Sequence, residues 1–250
     1  MIKNTLILII LTTTSFASEF IFELYIYKPK LNGSINYKIP SNELWVVKSN
    51  SKLNIVETKT IVSPSIIYIS KSKKHKVKLN YENTFFKTNN NLIVNVEDTD
   101  HNINIKSSTN MDWYKFAYDY KIYQNNNLNW YMGTNINIIN TETDISYSSL
   151  FYSNVAKYEE LLIIPTISTS LNYQINKNNS ISLYLSGIKL DKNSFIESSI
   201  NYKYLYPEIE GLSLDIGYGY KSINYYKNNE FFKDLNFNWN NYYLGLSYKF

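Results

Sequence analysis

The side chains that could transfer protons or bind metal ions are few in this 250-residue chain. There are two histidines, His75 and His101, and no cysteine. The lack of cysteine excludes disulfides, thiolate metal sites, a cysteine nucleophile and an N-terminal lipid anchor. His101 ends the acidic run at residues 97–101 (Glu-Asp-Thr-Asp-His), which could supply a general base or loosely hold a divalent cation.

The spacing within this acidic run argues against a catalytic site. Asp100 and His101 are adjacent, so in an extended strand their side chains would point to opposite faces. The run has no EF-hand spacing, and His75 follows a lysine-rich turn where it is expected to be solvated. We therefore predict no catalytic residue, no cofactor and no metal ion, with Asp98, Asp100 and His101 as the only exception to consider.

The composition favours a β-sheet protein. The chain contains 25 tyrosines against 3 methionines, and aromatic side chains suit a pleated surface. The net charge of +4 is spread along the sequence, without a lysine-rich run interleaved with aromatic residues, so nucleic acid is not expected as a partner. The length suits one sizeable domain.

The first residues have the layout of a secretory signal peptide. A short basic start with Lys3 precedes an apolar run at residues 6–11, and Ser-Phe-Ala at residues 15–17 places small residues where a signal peptidase cleaves. The apolar run is far shorter than the ~20 residues of a spanning helix, which disfavours a membrane anchor. We predict a signal peptide over residues 1–17, cleavage between Ala17 and Ser18, and a single domain over residues 18–250.

Most of the remaining sequence alternates between apolar and polar residues, as in a strand with two different faces. Between Asp112 and Ile122, for example, aromatic and aliphatic residues alternate with Lys115, Ala117 and Asp119. Similar segments recur up to the last residue. Because a soluble β-sandwich also alternates, this pattern alone does not place the chain in a membrane.

The lengths of the connections separate these two possibilities. Short connections lie at residues 71–75, 124–127, 176–179 and 207–211. Long connections follow Ile26, Asn83 and Ile139, and the short one at residues 191–194 is the exception. Outer-membrane barrels combine short periplasmic turns with long extracellular loops in this way. The sequence thus predicts an all-β fold, a single antiparallel transmembrane β-barrel of about ten strands.

In such a barrel the polar face of each strand points into the lumen. Because unpaired charges are costly there, opposite charges are expected to cross-link the lumen or to meet trapped water. Glu23 and Lys249, on the first and last strands, could meet if the register allows. The predicted lumen charges are Glu23, Lys76, Lys78, Glu82, Lys115, Asp119, Lys121, Glu197, Lys203, Asp215, Lys221 and Lys249.

The last strand resembles the assembly signal of bacterial outer-membrane proteins, a closing strand that ends on phenylalanine and is recognised by the barrel-assembly machinery. Gly245, Ser247 and Lys249 form its polar face. Its apolar face consists of Tyr242, Leu244, Leu246, Tyr248 and Phe250. Termini normally fray, so a chain end of this kind is unusual for a soluble domain.

Two further segments extend this resemblance. Residues 23–27, followed by Pro29 and Gly33, resemble a first strand entering its first loop, and residues 217–221 (Gly-Tyr-Gly-Tyr-Lys) resemble a penultimate strand. Overall the chain resembles the small outer-membrane β-barrel proteins of Gram-negative bacteria, although Asn240-Asn241 stands where relatives often have Gly-Pro. The resemblance implies location in the outer membrane, with membrane lipid, lipopolysaccharide and the barrel-assembly machinery as partners. It brings no catalytic residues.

Two classes of function follow. One is a structural or surface-interaction protein with a lumen filled by side chains, expected to be a monomer. The other is a narrow, porin-like passive channel. Barrels of ~8 strands are filled and open pores use ~16, so about ten strands favours the filled lumen. A more distant alternative is an enzyme: an omptin-type protease, which needs a second acidic pair on a facing strand, or a lipid-modifying enzyme, which needs a Ser–His pair.

Overall fold

A computed structural model describes residues 17–37, 54–96, 99–148, 153–226 and 232–250. In these ranges the regular structure is all β-strand, and no helix is long and apolar enough to cross a membrane. The strands are β1 (Ala17–Tyr27), β2 (Lys30–Tyr37), β3 (Asn54–Thr58), β4 (Ile61–Ser70), β5 (His75–Val96), β6 (Thr99–Gln124), β7 (Leu128–Ser148), β8 (Ser153–Gln174), β9 (Asn179–Leu190), β10 (Asn193–Leu205), β11 (Leu212–Tyr226) and β12 (Phe232–Lys249).

These segments form one closed antiparallel barrel. β1 pairs with β4 on one side and with β12 on the other, and β4 to β12 pair in sequence order. β2 continues the course of β1 along β12, while β3 continues the course of β4 along β5. The twelve segments therefore make ten barrel strands. The predicted fold class and strand number are confirmed.

Closure of the barrel satisfies the backbone of its first and last strands. Leu24 lies opposite Leu246, and Glu23 lies opposite Ser247. The amide of Phe250 donates to the carbonyl oxygen of Phe20 at 2.8 Å. An open sheet edge in lipid would leave such groups unsatisfied, at a cost of several kcal/mol each. The seam between β1 and β12 is therefore what allows the sheet to sit in a membrane.

Side chains alternate between the two sides of the barrel wall as the sequence predicts. On β6, the outward Phe116 and Tyr118 are 46% and 38% exposed, whereas the inward Ala117 and Asp119 are 5% and 4% exposed. Outward aliphatic and aromatic side chains form a continuous band around the barrel, with members on β1 and on every strand from β4 to β12. A band of this kind is what lipid would cover.

Four short turns lie at the end of the barrel where the chain also ends, at residues 71–74, 125–127, 175–178 and 206–211. Asparagine side chains shape two of them: Asn125 Oδ1 accepts the amides of Asn127 and Leu128, at 2.9 and 2.7 Å. Gly211 has φ of +83°, a left-handed conformation that glycine adopts without a steric penalty. By the convention of outer-membrane barrels, this end faces the periplasm.

The predicted long loops are largely strand. β5, β6, β7 and β8 have 22, 26, 21 and 22 residues, about twice the ~9–11 that cross a bilayer. They continue past the apolar band as an extramembrane sheet, called the extension below. Likewise Gly33, predicted to enter a loop, lies in β2 opposite Phe237. The prediction failed here because a strand outside lipid needs no apolar outer face, so its sequence looks like a polar loop.

Candidate functional site

Among the described residues, ten charged side chains form ion pairs in the lumen of the barrel, in three groups. In the first group, Lys78 Nζ lies 2.7 Å from Glu23 Oε2. Lys203 Nζ lies 3.8 Å from the other oxygen of Glu23 and 3.5 Å from Asp215 Oδ1, so it links the two carboxylates. Asp215 is fully buried and also accepts a bond of 2.9 Å from the Ser247 hydroxyl. The Ser65 hydroxyl donates to Glu23 at 2.9 Å, so both carboxylates have a cation and a hydrogen-bond donor, which offsets their loss of hydration.

The second group crosses the lumen from wall to wall. Lys115 on β6 binds Glu197 on β10, and Lys221 on β11 binds Glu82 on β5. Lys221 also lies 3.7 Å from Glu197, so the four residues form one chain of alternating charge. β6 and β10 are four strands apart in the ten-stranded sheet, which places them on nearly opposite walls. These ion pairs therefore obstruct the lumen rather than line it.

The third group lies nearer the short turns. Lys76 Nζ is 2.9 Å from Asp119 Oδ2, across the pairing of β5 with β6. The hydroxyl of Ser168 donates to Asp119 at 3.3 Å, and the Lys76 ammonium lies 4.8 Å from the centre of the Tyr131 ring. This contact is a cation–π interaction.

The two remaining predicted lumen charges lie at the rim instead. Lys121 Nζ donates to Gln124 Oε1 at 3.0 Å in an exposed position. Lys249 Nζ lies 2.8 Å from Glu19 Oε1, which Lys73 also approaches at 3.3 Å. The proposed meeting of Glu23 with Lys249 is therefore wrong. The register places Lys249 opposite Ile21, two residues nearer the rim than Glu23.

A cavity of about 390 Å³ lies among the charged groups, in the half of the lumen toward the short turns. Tyrosine, serine and asparagine side chains make up much of its lining. Three lining atoms have no hydrogen-bond partner among the residues that the structure describes: Asn129 Oδ1, Ser170 Oγ and Asn201 Oδ1. Water molecules can satisfy such atoms in a polar cavity of this size.

Beyond the second charged group, toward the extension, the lumen is filled by apolar side chains. We call this cluster the apolar layer; it consists of Leu31, Phe86, Met111, Trp113, Ile139, Ile145, Leu162, Phe195, Ile223, Phe237 and Trp239. The Trp113 ring lies 5.5 Å from that of Phe195 and 5.4 Å from that of Trp239, between centroids. Lys221, whose ammonium lies 4.4 Å from the Trp113 centroid, joins this layer to the charges below it.

Reasoning from sequence did not identify the apolar layer. The sequence of β6 contained a clue, because Met111 and Trp113 lie on the same inward face of the strand as Lys115 and Asp119. The inner face thus changes from apolar to charged along one strand. Strand alternation shows which residues share a face, but it does not show that one face can contain two environments. Several members of the layer, such as Phe86 and Ile145, also lie in segments that were predicted as loops.

Within the described residues, His75 and His101 lie at opposite ends of the pairing between β5 and β6. His75 Nδ1 lies 2.8 Å from the hydroxyl of Tyr118 beside a short turn. Asp100 and His101 lie in β6, opposite Asn95 and Val94 of β5, while Asp98 lies outside the described residues. Among the residues that the structure describes, no group of three or more His, Asp or Glu could hold a metal ion.

The predicted signal-peptide cleavage site lies at the end of the barrel with the short turns, and the predicted assembly signal lies on the outer face of the barrel. Ala17 is the first residue of β1; Ser18 follows it, and residues 1–16 lie outside the described ranges. On β12 and just after it, the outward, exposed side chains are those of Tyr242, Leu244, Leu246, Tyr248 and Phe250. Recognition of this face by the assembly machinery remains a prediction, as does the signal peptide.

Comparison with known proteins identifies the fold but not a family. No family model matches the chain, and no curated protein matches it in sequence. Among solved structures, the outer membrane protease OmpT from Escherichia coli is similar with a TM-score of 0.56 at 8% identity, over 94% of this chain and 97% of OmpT. The translocator domain of the autotransporter NalP from Neisseria meningitidis gives 0.54 at 5% identity, over 99% and 94%.

These two likenesses, together with the closed sheet and its outward apolar band, confirm that the chain is an outer-membrane β-barrel. The location predicted from the sequence, the outer membrane of a Gram-negative bacterium, is confirmed with the fold. At identities of 8% and 5% they carry no activity over to this chain.

Proposed function

We propose that this chain, an outer-membrane β-barrel, is a non-conducting protein that holds its extension at the cell surface to contact molecules outside. The observation that carries this proposal is the apolar layer across the lumen. Trp113, Phe195, Phe237 and Trp239 are each at most 2% exposed, so they leave no path for a hydrated ion. Each aromatic pair adds about 0.5–1.5 kcal/mol beyond its buried area, which keeps the layer packed.

The ion pairs below the apolar layer support the same proposal. A passive channel needs charges that a passing solute can contact, but here the charges bind one another across the lumen. Removing one partner from such a buried pair costs about 3–5 kcal/mol, so the network resists opening. The cavity of about 390 Å³ ends at this network, and none of its lining residues belongs to the apolar layer.

The extension gives the barrel a function that does not depend on its lumen. β5 to β8 continue well past the lipid-facing band, and their inner face contributes Phe86, Met111, Ile145 and Leu162 to the apolar layer. A buried core makes this part of the sheet a rigid platform rather than a set of loops. Surface contact is therefore the role that this architecture serves best.

Conductance in planar lipid bilayers tests the proposal. We expect the purified barrel to give no sustained unit currents. As a matched control, the double variant Trp113→Ala/Trp239→Ala removes the centre of the apolar layer and should show an intermittent leak. Sustained, reproducible unit currents from the unmodified protein would overturn the proposal in favour of the narrow channel.

A further inference from the structure

Among the described strands of the barrel, β8 has a second neighbouring strand along only part of its length. β8 pairs with β7 along its whole length, from Ser153 to Tyr173. On its other side it pairs with β9 only from Ile167 to Gln174, because the hairpin of β9 and β10 turns at residues 191–192. The upper half of β8 therefore rises above the neighbouring hairpin as the edge of the extension.

The direction of the backbone groups on β8 follows from two hydrogen bonds beside the turns. The amide of Gln174 donates to Asn127, on the β7 side, at 2.7 Å. The next amide, Ile175, donates to Asn179, on the β9 side, at 2.9 Å. Because successive residues of a strand present their amide and carbonyl to alternate sides, even-numbered residues of β8 face β7 and odd-numbered residues face β9.

Pro165 marks the point where the pairing with β9 stops. It is odd-numbered, so its backbone nitrogen faces the β9 side, where the next hydrogen-bonded pair would join it to Lys189. Proline has no amide hydrogen and cannot donate there, and the observed pairing ends at Ile167 opposite Gly187. Pairing with β7 is unaffected, since Pro165 directs no donor to that side.

Above Pro165, the backbones of Ile163, Leu161, Glu159 and Lys157 face the same open side. No strand among the described ranges pairs with them there. The outward side chains of Leu161 and Ile163 are 58% and 63% exposed. Lipid does not tolerate unpaired backbone groups, so these four residues, called the β8 edge (Lys157, Glu159, Leu161 and Ile163), belong outside the hydrocarbon of the membrane.

We propose that the β8 edge binds an extended segment of a partner protein, which adds to the sheet as an antiparallel strand. This inference rests on the proposed surface-contact function and specifies where the contact is made. An exposed edge supplies a ready row of donors and acceptors, and the alternating side chains beside it select the sequence that adds.

The side chains of the β8 edge indicate the chemistry of that segment. A basic residue is expected opposite Glu159, and apolar residues opposite Leu161 and Ile163. Lys157 Nζ already lies 3.7 Å from Asp144 of β7 but is exposed, so an acidic residue opposite it can share this cation. A neighbouring copy of this protein is not the occupant. Two copies in one membrane point the same way, so their β8 strands would run parallel and place like charges opposite each other.

The probe for this proposal is a fluorescent nine-residue peptide with the sequence of residues 155–163 (Val-Ala-Lys-Tyr-Glu-Glu-Leu-Leu-Ile). In an antiparallel arrangement its lysine lies opposite Glu159, its first glutamate opposite Lys157 and its valine opposite Leu161, so the peptide matches the edge at these three positions. Two N-methylated versions are matched controls. Methyl groups on the amides that face the edge should weaken binding at least tenfold, whereas methyl groups on the alternate amides should leave binding unchanged.

Hydrogen exchange in the intact barrel locates the binding. Without peptide, the amides of Glu159, Leu161 and Ile163 should exchange at least tenfold faster than those of Leu162 and Ile164, which face β7. With peptide, the amides of Glu159 and Leu161 should slow, while that of Ile163, which lies beyond the end of the bound peptide, should stay fast. If the fast set is already protected in the free barrel, or if both N-methylated peptides bind equally, strand addition is overturned.

A variant of the barrel gives an independent test. Leu161→Pro removes one amide that faces the open side and no hydrogen bond to β7. Pro165 faces the same side, which shows that the strand accepts proline at such a position. We expect normal folding, seen as heat-dependent migration in SDS, and at least tenfold weaker peptide binding. Unchanged binding would overturn the proposal, and the N-methylated peptides decide the matter if the variant misfolds. A barrel that conducts yet binds the peptide would contradict the proposed function and leave the β8 edge intact.

Discussion

Leu24 of β1 lies directly opposite Leu246 of β12, and this pair marks the seam at which the barrel closes. Further along the same ladder, Phe20 and Phe250 share a backbone hydrogen bond of 2.8 Å. Because hydrogen-bonded pairs recur at every second residue, Leu24 and Leu246 form such a pair as well. Their Cα atoms are then expected about 5.5 Å apart, a distance that a disulfide can bridge.

The double variant Leu24→Cys/Leu246→Cys should therefore form a disulfide in the assembled barrel. The chain has no other cysteine, so the background is clean. Migration of the oxidised protein in a denaturing gel measures the crosslink. The control Leu24→Cys/Leu244→Cys shifts the partner by one outward position and should crosslink far less. Equal yields from both variants, or a crosslink that forms in the unfolded chain, would contradict this register.

Depth in the membrane should determine the cost of a charge on the outer face of β6. The outward apolar side chains of β6 run from Tyr114 to Ile122, so Tyr118 lies at their middle and Ile122 lies at the end beside a short turn. Tyr118→Lys should reduce the free energy of unfolding by about 2–4 kcal/mol, and Ile122→Lys by about 0–1 kcal/mol. Denaturant titration in lipid vesicles measures both values. A larger loss for Ile122→Lys would contradict the assigned position of the band.

The buried pair of Lys221 and Glu82 should show strong coupling. Lys221→Gln leaves Glu82 buried without a cation and should reduce the free energy of unfolding by about 3–5 kcal/mol. Adding Glu82→Gln removes the orphaned charge, while Glu197 keeps Lys115 as its partner. We expect the double variant to recover much of the lost stability, which a double-mutant cycle in the same titration measures. Additive losses would show that the two residues do not interact.

The sequence predicted the strands that lie in the membrane well, because each of their faces has a different solvent. On β6, one face meets lipid and the other meets the lumen, so Phe116 and Asp119 alternate without ambiguity. The same contrast predicted about ten strands, and closure then required the last strand to pair with the first, but the register that places Leu24 opposite Leu246 came only from the structure. The inward position of Glu23 followed as well, but its partners, Lys78 and Lys203, depend on distances across the lumen.

The sequence patterns did not predict the extension or the apolar layer, and the physical cause differs between the two. Strands outside lipid have two faces of less distinct polarity, so the upper half of β8 was predicted as a loop. The apolar layer combines residues from eight strands, and no local pattern shows that Trp113, Phe195 and Trp239 meet. Long-range packing of this kind depends on barrel closure and strand tilt, which are set by the whole sheet.

Access to the lumen from each side of the membrane tests the central claim, that the barrel is closed, most directly. Ser182 lines the cavity, so Ser182→Cys places a thiol in the half of the lumen toward the short turns. In oriented proteoliposomes, a charged thiol reagent that cannot cross the membrane should modify this cysteine from the short-turn side and leave it unmodified from the side of the extension. Modification at similar rates from both sides would show that solutes pass the apolar layer, and would contradict a closed barrel.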